Sequence, residues 1–462
     1  MKRILCVLTC ILLLGLFCAC REEPVAEAPA LDVTVSITAA PTAEVIDATV
    51  KPTSAPPTPS PTPTETPSPT PTEEPTPTPE PTPSPTPRPP TVRDDLTGSC
   101  KFQCTQSGVS KKLLTDNNLK SSIIFANNVK ITYSWKDDVP ADVLYFFTYT
   151  APDSFRITQM DGAGEILSEE DYVPERMCCM VPLMEGCRSV TLQCNGRCKI
   201  NAMQIFGAGD VFPSRTVWWT EVQPDSYCDM MMVSTHFDDE ILMMGGVMPI
   251  YAGDQGKDCM VVYMKGQDEI RKMEAMQGLW EMGVRREAIY LDCTSDSLQE
   301  ALDNDAAGIF RKDDLCLLVS LIRQYRPLVV VTQDVNGEYG HESHVKTSAL
   351  VRRAVELAAD PNYDPDSAAE YGVWQVQKEY IHLWPENALE LDIQSPLKNM
   401  GGRSAYQVAK AAFDYHKSQQ PKWSLSATHK KFPIGNYGLY FSAVGPDSGI
   451  NDMFENVVEP NK

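Results

Sequence analysis

The sequence predicts two folded domains of different class, an all-β sandwich of jelly-roll type over residues 94–212 and an α/β domain with a mainly parallel sheet over residues 213–462. Three observations predict this. Before residue 213, apolar and polar residues alternate, as in Val129-Lys130-Ile131-Thr132-Tyr133-Ser134-Trp135, with no long helical period. Beyond it, short apolar runs such as Met230-Met231-Met232-Val233 and Leu328-Val329-Val330-Val331 alternate with helical stretches. Strands roughly 25–40 residues apart with helices between them imply right-handed crossovers and a parallel sheet.

Residues 1–93 read as part of neither domain. Lys2-Arg3 precede an apolar run from Ile4 to Phe17 that is too short for an ordinary membrane span, the pattern of a signal peptide over residues 1–20. Leu16-Phe17-Cys18-Ala19-Cys20 resembles a bacterial lipobox, which implies a lipid anchor on Cys20 and an exported protein held at the outer face of the cell membrane. Residues 21–93 form a Pro/Thr-rich linker, and residues 51–90 hold about half of the 37 prolines. Proline fixes φ and lacks the amide donor, so this stretch is expected to be extended and semi-rigid, reaching on the order of 200 Å. A formal net charge of −22 excludes nucleic acid as an expected partner.

Within residues 94–212, Val143 to Tyr149 and Ser189 to Cys194 are further strand candidates. Leu114-Thr115-Asp116-Asn117-Asn118 and Ile200-Asn201-Ala202-Met203-Gln204-Ile205-Phe206-Gly207 resemble pieces of the discoidin-like, galactose-binding-type domain. That resemblance implies either carbohydrate binding or a structural role against a neighbour. Cys100, Cys104, Cys178, Cys179, Cys187, Cys194 and Cys198 crowd into this domain. Disulfides are the expectation in an exported protein, and the two C-x3-C spacings are a weaker signal for zinc. Cys228, Cys259, Cys293 and Cys316 sit in apolar surroundings and read as core.

Within residues 213–462, Cys259 to Tyr263 and Ala288 to Leu291 read as strands. Glu269 to Met282, Asp313 to Tyr325 and Ser343 to Ala359 read as helices, the first ending at Gly283 and the second stopping before Pro327. The order is that of a Rossmann-like, three-layer α/β/α domain, in which ligands gather beyond the carboxyl ends of the strands. Two segments fall there. Ser234-Thr235-His236-Phe237-Asp238-Asp239-Glu240 follows the apolar run at residues 230–233, and its continuation, Ile241 to Gly246, is expected to open a helix. His341-Glu342-Ser343-His344 follows residues 328–331 through the glycine-containing loop 333–340.

These segments take three of the six histidines in the chain. Residues three apart at a helix start share a face, so His236 and Asp239 point at one centre and His341 and His344 repeat the spacing. Buried carboxylates and imidazoles need compensation, and a divalent cation supplies it. Two imidazoles and one carboxylate suit Zn2+ and leave a position for water. Asp238, beside the centre, is placed to take a proton from that water as general base. A spare histidine is left to stabilise an oxyanion or protonate a leaving amine. His382 reads as a strand residue and His429 as exposed.

His236-Phe237-Asp238-Asp239-Glu240 and His341-Glu342-Ser343-His344 together resemble the motifs of the PIG-L (LmbE-like) family of metal-dependent de-N-acetylases. The family reads His-Pro-Asp-Asp-Glu and His-x-x-His. The resemblance implies that His236, Asp239 and His344 hold zinc, that Asp238 is the catalytic base and that His341 assists the oxyanion. Arg271-Lys272-Met273-Glu274 resembles the family's Arg-x-x-Glu segment and makes Arg271 a candidate for substrate binding. His416-Lys417-Ser418-Gln419 resembles its His-x-Ser-Gln element. Phe237 departs from the family's proline, and Glu342-Ser343 from its frequent Pro-Asp. The expected activity is removal of an N-acetyl group from an N-acetylated amino sugar or glycoconjugate outside the cell. The rival expectations are an amidase acting on another N-acyl group, and a catalytically inactive glycan-binding protein of the cell surface. Iron-oxygenase chemistry is disfavoured because such triads usually lie on β-barrels.

Overall fold

The computed structural model describes residues 90–460 apart from 221–225, 267, 292, 294–311 and 421. The signal read in residues 1–20, its Cys20 and the linker up to residue 89 lie outside the described residues.

The first domain consists of β1 (Lys101–Cys104), β2 (Ile123–Phe125), β3 (Lys130–Ser134), β4 (Ala141–Thr150), β5 (Ser154–Met160), β6 (Ile166–Tyr172), β7 (Cys178–Pro182), β8 (Ser189–Asn195) and β9 (Cys198–Gly207). They make two antiparallel sheets of order β1-β3-β8-β5-β6 and β2-β9-β4-β7. Period-two patterning drives the packing: Val190, Leu192 and Cys194 of β8 point inward while their neighbours are half-buried. Ile131, Phe155 and Leu192 of the first sheet meet Phe146, Met203 and Ile205 of the second in one core. Strand β4 breaks the alternation, since Val143 through Thr148 are all buried. Its outward residues Val143, Tyr145 and Phe147 are covered by Phe212, Trp219, Met273, Met276 and Trp280.

The expected disulfides are corrected here. All eleven cysteines among the described residues are free. The sulfurs of Cys194 and Cys198 stand 3.2 Å apart. Burial pushes the Cys100 thiol up to about 11 and that of Cys179 up to about 12. Both of these thiols therefore stay protonated and pack as small apolar groups in the core.

The second domain carries β10 (Met230–Ser234), β11 (Cys259–Tyr263), β12 (Ile289–Tyr290), β13 (Val329–Thr332), β14 (Lys378–His382), β15 (Ala388–Glu390) and β16 (Asn436–Ser442) in one sheet of order β12-β11-β10-β13-β14-β16-β15. The first five in that order run parallel, and β16 pairs antiparallel with β14 and β15. Its helices are α1 (Asp239–Leu242), α2 (Glu269–Glu281), α3 (Lys312–Tyr325), α4 (Glu342–Leu357), α5 (Pro365–Tyr371) and α6 (Ala405–Phe413). Alternate strand residues feed two cores. Met230, Met232 and Val331 pack with Leu279 of α2 and Val408 of α6. Met231, Val233 and Val330 pack with Leu318 of α3 and Val351 of α4. With helices against both faces, every strand residue from Met230 to Ser234 is buried, which explains the unbroken apolar run.

The helix expected after Glu240 is a single turn that ends at Leu242. A Cβ on Gly246 would come within 2.7 Å of the Ile434 carbonyl, so the chain turns here against another backbone. From β10 the chain fills the sheet outward through β11 and β12, then returns to the other side with β13 and β14. The reversal between β10 and β13 is a topological switch point, where a crevice opens beyond the strand ends.

Candidate metal centre and active site

Neutral, buried polar contacts tie the two halves of the site together at that crevice. The side-chain oxygen of Gln333, just after β13, accepts the backbone N–H of Thr235 at 2.8 Å. The Thr235 hydroxyl meets that of Thr347 on α4 at 2.8 Å. Both loops are thereby fixed before any ionisable group is considered.

On this frame, ligating atoms of His236, His341 and His344 lie within 4.8 Å of one another. Asp239 Oδ2 enters the same cluster, 2.9 Å from His236 Nδ1 and 3.1 Å from His344 Nε2. It also accepts the His236 backbone N–H at 2.8 Å, a bond made possible by the three-residue spacing. Burial alone would raise Asp239, but His344 and His236 hold it well below the usual carboxylate range. His341 caps α4, its Nδ1 accepting from the Ser343 N–H at 3.2 Å. Burial and the two neighbouring imidazoles, His344 foremost, lower its pKa.

These residues suit a metal ion on one structural test. His344 is fully buried, yet its Nε2 makes no hydrogen bond of good geometry. Its Nδ1 is held by Glu338 Oε2 at 2.6 Å. A proton fixed on Nδ1 leaves the Nε2 lone pair facing the cluster, the arrangement of a carboxylate-supported histidine ligand. Burial pushes His344 down, but Asp239 and Glu338 outweigh it and raise the imidazole to about 10. The donor set of imidazole nitrogens and one carboxylate is one that can hold a divalent metal ion.

Asp238 stands beside the cluster, 5% exposed, with its Oδ1 2.7 Å from an Arg271 nitrogen on the first turn of α2. Burial and the adjacent Asp239 push it up to about 6, against the pull of Arg271. Arg271 reaches the Phe237 carbonyl at 3.4 Å as well, while its Nε is buried without a hydrogen-bond partner among the described residues. Phe237, where the family has proline, is anchored by ring contacts at 4.8 Å to Tyr263 and 5.6 Å to Tyr290. Aromatic packing replaces the fixed φ of proline at this turn.

The structure thus brings together His236, Asp238, Asp239, Arg271, His341 and His344. It also adds residues that sequence reasoning missed. Glu338, fully buried in the loop before His341, accepts from His344 and, at 2.7 Å, from His382 Nδ1. Burial opposes its ionisation, but the two histidines hold it down to about 2. His382, read from the sequence as an ordinary strand residue, is therefore the third link of a chain running from the cluster through His344 and Glu338. Glu274, named in the sequence within the Arg-x-x-Glu segment but given no role there, accepts from the Ser418 N–H at 3.1 Å and from the Ser418 hydroxyl at 2.5 Å. The Arg-x-x-Glu and His-x-Ser-Gln segments meet through that pair. His416 is buried 3.7 Å from Glu240, and burial, then Arg271, lower it to about 3. His429 is exposed. The signals for Glu338 were its flanking glycines, Gly337 and Gly340, both at positive φ.

An α/β domain with imidazoles and a carboxylate clustered at its switch point is the class these features define. The family described as GlcNAc-PI de-N-acetylase (PIG-L) matches residues 231–355. A 1D-myo-inositol 2-acetamido-2-deoxy-alpha-D-glucopyranoside deacetylase of Saccharopolyspora erythraea is 31% identical over 275 residues, covering 48% of this chain and 98% of its own length. The chain belongs to the PIG-L family. A similarly named deacetylase of Catenulispora acidiphila is 31% identical over 212 residues, and here the chain spans 64% of the relative's length and the match covers 40% of the chain. Among solved structures, the N,N'-diacetylchitobiose deacetylase of Pyrococcus horikoshii is similar with a TM-score of 0.32 and 17% identity, over 42% of this chain and 71% of that one.

Proposed function

We propose that this protein is a metal-dependent hydrolase that removes the N-acetyl group from an N-acetylated amino sugar or glycoconjugate. One observation carries the reading: His344, buried and held through Nδ1 by Glu338, turns an unbonded Nε2 toward His236 and Asp239. Family membership supports the reaction class, and the relatives' printed substrates are acetamido sugars.

His236, Asp239 and His344 would hold the ion, for which zinc is the choice of these donors. When bound, such an ion supplies Lewis-acid activation of water and of the amide carbonyl. Asp238 takes the proton from the attacking water, and burial has tuned its affinity for that proton toward neutrality. Arg271 holds Asp238 in place from the far side. His341, at the edge of the cluster and partly exposed, faces the oxygen on which charge develops and can supply a proton to the departing amine. The C–N bond breaks, acetate leaves, and the free amino sugar carries away the proton.

Export, a lipid anchor on Cys20 and an extracellular glycan as substrate complete the proposal and rest on residues 1–20 as read from the sequence. The test combines metal content with acetate release from a panel of N-acetylated sugars. Stoichiometric zinc and acetate release by the parent, with metal lost from folded His344→Ala, are expected. A zinc-loaded protein that frees acetate from no member of the panel would leave the glycan-binding alternative in its place.

A further inference from the structure

Helix α2 touches the candidate site and the first domain at once. Arg271 on its first turn reaches Asp238, and Glu274 lies three residues on, 1% exposed. A buried carboxylate is stable only with compensation. Ser418 donates two hydrogen bonds to it, and the ammonium group comes from the other domain: Lys120 Nζ stands 3.2 Å from Glu274 Oε1. Lys120 belongs to a loop pinned at both of its edges. Gln277 of α2 donates to the Asn117 carbonyl at 3.2 Å, and Asn201 of β9 donates to the Leu119 carbonyl at 2.7 Å. The Leu119 side chain packs with Met273, Met276 and Trp280 of α2. Lys199 of β9 pairs with Glu269 at the start of the helix. The family match begins at residue 231, so it assigns nothing to this loop.

We propose that Lys120 is a positioning residue of the deacetylase site, supplied by the β domain. By pairing with the buried Glu274 it holds that carboxylate in place against Ser418, which fixes α2 and the loop at 416–419 against each other. The orientation of α2 in turn sets Arg271, whose buried, unpartnered Nε is available to an oxygen of the substrate. Substrate binding by this chain therefore depends on the β domain being in place. The inference rests on reading the α/β domain as an N-deacetylase.

The test compares Lys120→Met and Lys120→Arg in the full chain by steady-state kinetics and by hydrogen exchange. Lys120→Met is expected to raise KM about tenfold with a smaller change in kcat, and Lys120→Arg to return KM to within about twofold of the parent. In Lys120→Met the Ser418 amide, which donates to Glu274, is expected to exchange faster than in the parent. Should Lys120→Met fail to fold, Lys120→Met/Glu274→Gln removes both charges together and is expected to keep the raised KM, because the tie between the loop and α2 is gone. An unchanged KM in whichever of these variants folds, or an unchanged Ser418 amide in Lys120→Met, overturns the inference. If the parent itself frees no acetate, the deacetylase reading fails, and the exchange data still decide whether Lys120 braces α2.

Discussion

Strand β14 buries ionisable side chains at both ends, and the two ends treat them differently. At its C-terminal end His382 shares the Glu338 carboxylate with His344, and Glu338 is held down to about 2. At its N-terminal end Glu379 is 1% exposed, its Oε1 has no hydrogen-bond partner, and burial raises it to about 8 against the weak pull of Arg352. Lys378 beside it is paired with Asp447, so even at this end the uncompensated group is one residue. The difference teaches that burial by itself does not mark a site. What marks the C-terminal end of β14 is a buried carboxylate, Glu338, paired with two histidines, one of which, His344, turns a second nitrogen without a good hydrogen bond toward the cluster. That nitrogen is a request for a ligand, whereas Glu379 answers its own burial by keeping a proton.

The contrast breaks most completely at Asp238. Asp238→Asn keeps the shape and the contact with Arg271 but removes the base. Acetate release is expected to fall about a thousandfold, with metal content unchanged by elemental analysis. A variant within tenfold of the parent would move the base to another residue. Next comes Glu338→Gln, which leaves an acceptor for His344 but removes the charge that supports it. Metal affinity is expected to drop about 10–100-fold in a competition titration against a chelator, and an unchanged affinity would mean that His344 is not a ligand. His382→Asn removes one of the two histidines on Glu338, a loss of about 1 kcal/mol or roughly fivefold in the same titration. An effect as large as that of Glu338→Gln would show that His382, not Glu338, anchors the chain.

How much of this was legible in the sequence follows from how local each feature is. The spacing of His236 to Asp239 and of His341 to His344 needs only a helix start, and the apolar run at residues 230–233 needs only a sheet covered on both faces. Likewise the alternation from Val129 to Trp135 yields β3, observed over Lys130–Ser134. Glu338 is another matter. Its direction depends on a loop in which Gly337, Tyr339 and Gly340 all take positive φ, and a non-glycine residue there is unusual. His382 joins Glu338 from 44 residues away, and Lys120 reaches Glu274 across 154. Pairings of that kind are set by how strands and domains pack, which no local pattern encodes. The cysteines misled for a related reason: crowding in sequence signalled covalent pairing, whereas the sandwich uses the same residues as small core side chains.

The smallest expected effect on activity lies at the other end of β14, where only stability responds. Glu379 has a folded pKa of about 8 against an unfolded value near 4.5. Below the lower value both states carry the proton and the group is neutral to stability. As pH rises between the two, the unfolded chain releases its proton and the folded chain does not, so folding loses up to about 1.4 kcal/mol per pH unit. Above the higher value the loss levels off. Glu379→Gln has no proton to hold, so its advantage in Tm is expected to be small at pH 5 and to widen to several degrees at pH 8, with acetate release unchanged. Parallel Tm curves for the two proteins would mean that Arg352 closes onto the carboxylate in solution, and that both ends of β14 compensate their buried charge alike.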